Sequence, residues 1–329
     1  MGIFRKPPAG SLEAILDLNQ LAVNKFITAN RPVAPAASNV TFGGTMVGQS
    51  LLASFYTMSE DFVPASMHCS FLMGGDPTIP IIYNVEPLRE GRNFTHKQVK
   101  AFQDDKLIFI SNWVFSRQRE LGPPNLQNVG RIAVPDKDKF DVGSTLLRKY
   151  LDDPNNGESK ESKEAQGTIA TALDKGPAKY WLPKDFFSGE RKHEELNYFI
   201  KLRNSITNNE SLRRPAGEKL TFLNDHRANY LAISYYSDAY FLLSLPYFYG
   251  LPLFNCKISV SMDHSIYFHQ SPSMSNEMYL RITNEESNDG LHVMKSEWYD
   301  SVTKEKKITA LQGALVVYNM DDEKPDAKL

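Results

Sequence analysis

Apolar residues at Leu12, Ile15, Leu16, Leu18 and Leu21, with Ser11 as a cap, recur at helical spacing and predict one amphipathic helix over 11–26. A second helical stripe, Met46, Val47, Leu51, Leu52 and Phe55, follows Phe42-Gly43-Gly44, whose two glycines read as a flexible entrance. The period then shortens. Strand-like segments over 66–73, 79–88, 93–103 and 106–115 are separated by Gly74-Gly75-Asp76-Pro77, Glu90-Gly91 and Asp104-Asp105. Turns this short pair neighbouring strands antiparallel, because parallel pairs require long crossovers.

From 120 to 187 the chain turns to Pro, Asn, Asp, Lys and Ser, including DDPNNGESKESKEAQG at 153–168, which predicts a polar, partly disordered linker. Beyond it the first half's order returns: an apolar helix over 231–245, then SMDHSIYFHQSP at 261–272, then strands over 277–284, 291–299 and 307–318. Ser66-Met67-His68-Cys69-Ser70-Phe71 matches Ser261-Met262-Asp263-His264-Ser265-Ile266, and the interval from Ser66 to Phe102 agrees with that from Ser261 to Trp298 to within one residue. Internal duplication is the economical explanation. The expected organisation is an N-terminal domain over 1–119, the linker over 120–187, a C-terminal domain over 188–320 and a tail over 321–329. A chain of 329 residues suits two domains.

Composition removes several function classes. With 37 basic against 39 acidic side chains, no overall field draws a nucleic acid, although a local Lys and Arg cluster could still hold a phosphorylated small molecule. Cys69 and Cys256 stand far apart without metal-ligand spacing, which argues against a disulfide framework or structural zinc and for small core thiols in a reducing compartment. MGIFRKPPAG lacks a signal-peptide core and has Lys6 where myristoylation wants Ser or Thr. The apolar stretch 231–254 is interrupted by Asp238, Ser244, Pro246 and Pro252, so it reads as a buried helix and turn, and no membrane span is expected. FGGTMVGQ matches neither a dinucleotide nor a Walker loop, and no GxSxG elbow occurs. The last residues, Ala327-Lys328-Leu329, approach the SKL address read by the peroxisomal import receptor.

Taken together, FGGTMVGQSLL, SMHCSFLMGGDP, LREGRNFTHKQVKAFQDDKLIF, YYSDAYFL and SVSMDHSIYFHQ resemble the acyl-CoA thioesterase II family, above all its fungal peroxisomal members. The resemblance spans nearly the whole chain outside the linker. It implies an α+β fold, a double hotdog of two tandem domains, each with a curled antiparallel sheet around a central helix. It implies hydrolysis of fatty acyl-CoA in the peroxisomal matrix with no cofactor, metal or covalent intermediate, by a chain that forms a homo-oligomer, as a dimer.

The family positions its attacking water with an Asp, a Thr or Ser, and a Gln, which map onto Asp238, Ser261 and Gln312. These residue types suit the chemistry. A carboxylate near a helix start, with its charge steadied by the helix N-terminus, can take a proton from water, while a hydroxyl and an amide fix the direction of attack. One departure concerns Gln312-Gly313-Ala314, where the family carries Gln-Glu-Gly, so the glycine is displaced by one position. His68 is a secondary candidate. Arg89, Arg92, His96 and Lys97 are candidate contacts for the CoA phosphates, with a solvated charged turn as the alternative. Two rivals are a hotdog enoyl-CoA hydratase, which would want an Asp-x-Asn-Pro-x-His stretch that the chain lacks, and a non-catalytic acyl-CoA-binding protein, which would not need the Asp, Ser and Gln together.

Overall fold

The computed structural model describes residues 10–35, 38–117, 132–154, 156, 160–187, 192–215, 217–251 and 256–318. Its first element is short. Ser11 does cap a helix, accepting from Ala14 N at 3.2 Å, but α1 (Leu12–Leu16) ends there and the chain turns extended at Asp17. The rest of the expected 11–26 helix is a hairpin, β1 (Leu18–Ala22) and β2 (Lys25–Thr28), turned by Asn24 at a left-handed φ of 56°. Leu18 is buried while Leu21 is half exposed, so the leucines never shared one face. Pairing of β2 with the distant strand Ile82–Glu90, in a sheet where Phe26 is buried, outweighs the local helical period.

The helix α2 (Gly43–Phe55) follows, with every residue from Gly44 onward buried. A helix buried on every side lies inside a core rather than on its surface, and its polar Thr45, Gln49, Ser50 and Ser54 are buried with the rest. The meander β3 (Phe62–Phe71), β4 (Ile82–Glu90), β5 (Phe94–Gln103) and β6 (Lys106–Arg117) then forms as the period-two pattern requires. Along β5, Thr95, Lys97, Val99, Ala101 and Gln103 point inward in strict alternation.

The expected linker is largely built structure within its described part. It contains β7 (Phe140–Val142), α3 (Gly143–Asp152), α4 (Lys160–Lys175) and β8 (Ala178–Pro183). Leu147, Leu182 and Phe186 are buried, and β7 and β8 extend the sheet beyond β9 (Glu195–Leu202). Sparse apolar residues in a polar background were enough, because the sheet edge was there to receive them. Residues 120–131 of that stretch lie outside the described residues.

The second half continues with α5 (Ala228–Tyr236), α6 (Phe241–Tyr249), β10 (Cys256–Phe268), β11 (Met278–Asn288), β12 (Leu291–Asp300) and β13 (Lys306–Tyr318). All strands join one antiparallel sheet in the order β1-β2-β4-β5-β6-β3-β10-β13-β12-β11-β9-β8-β7. The two repeats meet at β3 and β10, where His264 pairs with Cys69 and Ser265 with His68. Beneath the sheet α2 and α5 pack together, close enough that a Cβ on Gly48 would touch Tyr235 Cβ at 3.5 Å. No described helix is long and apolar enough to cross a membrane.

Candidate active site

The apolar segment expected as one helix over 231–245 is two helices. Between α5 and α6 the backbone breaks at Tyr240, which takes a left-handed φ of 67°. Its ring sits in a cluster with Tyr180 and Tyr198, each at 5.0 Å, and Phe186 at 6.0 Å, so side-chain burial holds the unusual backbone in place. The break releases Asp238 from the helix.

Asp238 is buried, and its Oδ2 accepts from Gly44 N at 3.0 Å. The dipole that steadies it is therefore that of α2, in the other half, and not that of its own segment as expected. Phe42, the N-cap residue of α2, makes no side-chain cap bond, and Asp238 supplies one across the interface. The glycines are not a flexible entrance. A Cβ on Gly43 would lie 2.6 Å from Asp238 Oδ2, and one on Gly44 would lie 2.0 Å from Tyr235 O. Close approach of α5 to the start of α2 requires both to lack a side chain.

Ser261 lies on β10 at a register shift between Ser261 and Asp263, opposite Ala314 and Gly313 of β13. Such a bulge re-aims a side chain that a regular strand would direct elsewhere. The displaced glycine has a local cause, since a Cβ at Gly313 would meet Asp263 Oδ2 at 2.5 Å, and Gly313 N donates to Asp263 Oδ1 at 3.3 Å. Gln312 is buried on the inner face of β13, and its Nε2 donates to Ser261 Oγ at 2.6 Å.

Burial pushes the Asp238 carboxyl up to about 7, against the lowering effect of Gly44 N–H, the Gln312 amide and the Ser261 hydroxyl. Its Oδ1 has no hydrogen-bond partner among the described residues. A carboxylate poised near neutrality, with one oxygen anchored and the other unpartnered beside a hydroxyl and an amide, can accept a proton from water.

Sequence models described as acyl-CoA thioesterase N-terminal domain and acyl-CoA thioesterase match residues 31–116 and 190–318. The peroxisomal acyl-coenzyme A thioester hydrolase 1 of Saccharomyces cerevisiae is 38% identical, over 96% of this chain and 97% of its own. This chain belongs to the acyl-CoA thioesterase family. Human acyl-coenzyme A thioesterase 8 is 30% identical over 80% of this chain and 77% of its own. Among solved structures, the thioesterase II TesB2 of Mycobacterium marinum superposes with a TM-score of 0.66 at 19% identity, covering 94% of this chain and all 100% of that one. A hot dog fold protein of Alicyclobacillus acidocaldarius reaches the same TM-score at 13% identity, over 94% and 98%. The thioesterase is thus an α+β hotdog-fold protein.

The remaining candidates in this thioesterase lie apart from the Asp238 cluster. His68 is exposed, with Nδ1 2.9 Å from Ser265 Oγ and its ring against Tyr267 at 5.5 Å. It alternates with buried Cys69 and so faces away from the site. Lys97 is the clearest departure: it points into the core, its Nζ 2.7 Å from Glu90 Oε1 and 3.4 Å from Thr57 O, which leaves no free ammonium for a phosphate. Arg89 and Arg92 are exposed at the β4–β5 turn, with half-buried His96 paired across from Arg89. Ala327, Lys328 and Leu329 lie outside the described residues. Among the described residues no group of three or more His, Cys, Asp or Glu is placed to hold a metal.

Sequence reading missed Gly43 and Gly44 as site-builders and gave His264 no role. The signals were present: a glycine pair at the start of an otherwise bulky helix, and a histidine inside the repeated motif, where the first half has Cys69.

Proposed function

We propose that this thioesterase hydrolyses fatty acyl-CoA to fatty acid and CoA with a water held by Asp238, Ser261 and Gln312. The observation that carries the reading is the convergence of the Gln312–Ser261 hydrogen bond with the buried Asp238 carboxylate on the first turn of α2. Asp238 takes a proton as the water oxygen bonds to the thioester carbonyl carbon. Charge then gathers on the carbonyl oxygen, where backbone N–H groups at the α2 N-terminus are suited to receive it. Collapse of the tetrahedral species breaks the C–S bond, and the proton on Asp238 passes to the CoA sulfur. Gln312 and Ser261 fix the water's direction of attack.

The two sequence repeats, each contributing a central helix and a block of strands, support a division into two tandem hotdog domains. The yeast relative is named peroxisomal. Together with the Ala327-Lys328-Leu329 ending, that supports import through the peroxisomal receptor into the matrix. A homodimer is the proposed assembly, and Arg89, Arg92 and His96 the proposed contacts for the CoA phosphates.

The test is release of free CoA thiol from a panel of saturated acyl-CoAs, wild type beside Asp238→Asn. Release by the wild type and its loss in the variant are expected. A variant that turns over at the wild-type rate removes Asp238 from the mechanism.

A further inference from the structure

The strand β8, which the expected linker adds to the sheet, brings one ring to both sides of the helix break. The Tyr180 ring centre lies 6.2 Å from that of Tyr236, the last residue of α5, and 5.0 Å from that of Tyr240, the N-cap of α6. Ser237, Asp238 and Ala239 are the three residues between those two contacts. Tyr198 on β9 and Phe186, just beyond β8, reach the Tyr240 ring at 5.0 and 6.0 Å. Tyr198, Tyr236 and Phe186 are buried, and Tyr180 and Tyr240 pack against the same core.

The break needs a brace, because the chain on either side of it is helical. Ser237 N bonds to Ile233 O at 2.7 Å, Ser244 N bonds to Tyr240 O at 2.8 Å, and Ser237 keeps right-handed backbone. What separates the two helices is Tyr240, whose left-handed φ of 67° is rare for a bulky residue and persists only where surrounding contacts over-determine it. With a right-handed Tyr240 the local preference for one helix over 231–245 would prevail, and Asp238 would be carried off the Gly44 N–H that anchors it. The first half supplies a control. β1 stands beside β2 as β8 stands beside β9, but β1 holds no aromatic residue, and α2 passes unbroken into right-handed backbone at Tyr56.

We propose that Tyr180 is a positioning residue for thioester hydrolysis: its ring, in contact with Tyr236 and Tyr240, holds Tyr240 in left-handed backbone and so keeps Asp238 on the α2 N-terminus. The stretch that joins the two halves in sequence thereby serves the active site. The proposal rests on the reading that Asp238 is the general base. Tyr180 acts through Tyr240 and needs no contact with substrate or water.

The variants are compared by kcat, KM and the pH midpoint at which kcat/KM rises. Expected for Tyr180→Ala is a kcat lower by about 10- to 50-fold with KM within about twofold of wild type, and a midpoint that falls below 7 as water reaches the carboxylate. Tyr180→Phe keeps the ring and should match wild type. Leu147→Ala removes buried apolar volume from the same stretch outside the ring cluster, and should leave kcat and midpoint unchanged. Tyr240→Ala should lose at least as much kcat as Tyr180→Ala, whereas Tyr240→Gly, which takes left-handed backbone without strain, should recover to within about fivefold of wild type. In the Tyr240→Gly background Tyr180→Ala should change kcat by less than about threefold, because the ring it braces is gone. Undiminished kcat in Tyr180→Ala, an equal loss in Tyr180→Phe or in Leu147→Ala, equal losses in Tyr240→Ala and Tyr240→Gly, or a full Tyr180→Ala effect in the Tyr240→Gly background overturns the proposal. Wild-type turnover in Asp238→Asn instead overturns the underlying reading of Asp238, which that variant reports by itself. Should Tyr180→Ala not fold, Tyr180→Leu removes the ring and keeps apolar volume, with a smaller loss of kcat and the same direction of midpoint shift expected. Wild-type kcat and midpoint in Tyr180→Leu count against the proposal.

Discussion

The two ends of the α2–α5 helix pair carry the same kind of group in opposite states. At one end Asp238 stands on the N-terminus of α2, buried, with one oxygen unpartnered and its pKa raised to about 7. At the other, Arg227 at the start of α5 is fully buried over the Phe55 ring at 4.6 Å and is paired with Asp225, Nη2 to Oδ2 at 2.6 Å. Burial opposes the Asp225 charge as well, but hydrogen bonds and charge from Arg227 hold its pKa below the usual carboxylate range. The sheet above shows a similar contrast. Where the second half pairs His264 with Gln312, the first half pairs Cys69 with Ser111, and Ser111 is engaged by Trp113 Nε1 at 3.2 Å. The α2–α5 pair thus has one end neutralised and filled, and one end with a carboxylate that is expensive to ionise and has an unpartnered oxygen.

One chemical change, Asp to Asn, tests this contrast most sharply. Asp238→Asn should lower kcat about 10³-fold or more, as loss of a general base does. It should also stabilise the fold. Because the folded-state pKa of Asp238 lies above the unfolded value, stability is lost as pH rises from about 4 through about 7, so the variant should melt above wild type at pH 8, with the gap narrowing on acidification and closing only below about pH 4. Wild-type kcat/KM should rise with pH through about 7 as Asp238 loses its proton. Equal melting temperatures at pH 8 would show that Asp238 is not desolvated.

Asp225→Asn should do the reverse, costing about 3–5 kcal/mol by leaving Arg227 buried and unpaired while kcat of the folded enzyme changes little. Its depressed pKa stabilises the fold above the usual carboxylate range, and that contribution is lost on acidification, so denaturant titrations of wild type and variant should converge at low pH. A smaller effect is expected of Gly44→Ala. The added Cβ must displace backbone at Tyr235, costing about 1–3 kcal/mol, and moving the N–H that anchors Asp238 should lower kcat more than it raises KM. Smallest is Arg89→Ala with Arg92→Ala. A rise in KM of about two- to fivefold that fades at high salt would place the CoA phosphates on the β4–β5 turn. An unchanged KM would make these arginines a solvated surface.

The residues that the structure gathers at the Asp238 end were nameable because each sits in a motif of distinctive local order, YYSDAYFL, SVSMDH and ITALQGALVVY, and because the two halves could be aligned by eye. The meander of the first half was legible because period-two alternation and turn residues act over a few positions. The 11–26 segment misled for the same reason: leucine spacing is local, and nothing in it announces that β2 will pair with β4. Lys97 looked like a phosphate ligand until the alternation of β5 turned it inward onto Glu90.

By itself the sequence determined the antiparallel strand blocks, the family and the residue types available for hydrolysis, since these follow from short-range patterning. The tertiary structure decided where the 231–245 helix breaks, which helix N-terminus receives Asp238, why Gly43 and Gly44 lack side chains, and how 140–183 joins the sheet. Each of these depends on contacts between segments far apart in the chain: Gly44 and Asp238 are separated by 194 residues yet joined by one hydrogen bond. Burial, which moves that carboxylate toward neutrality, exists only once the two helices have packed.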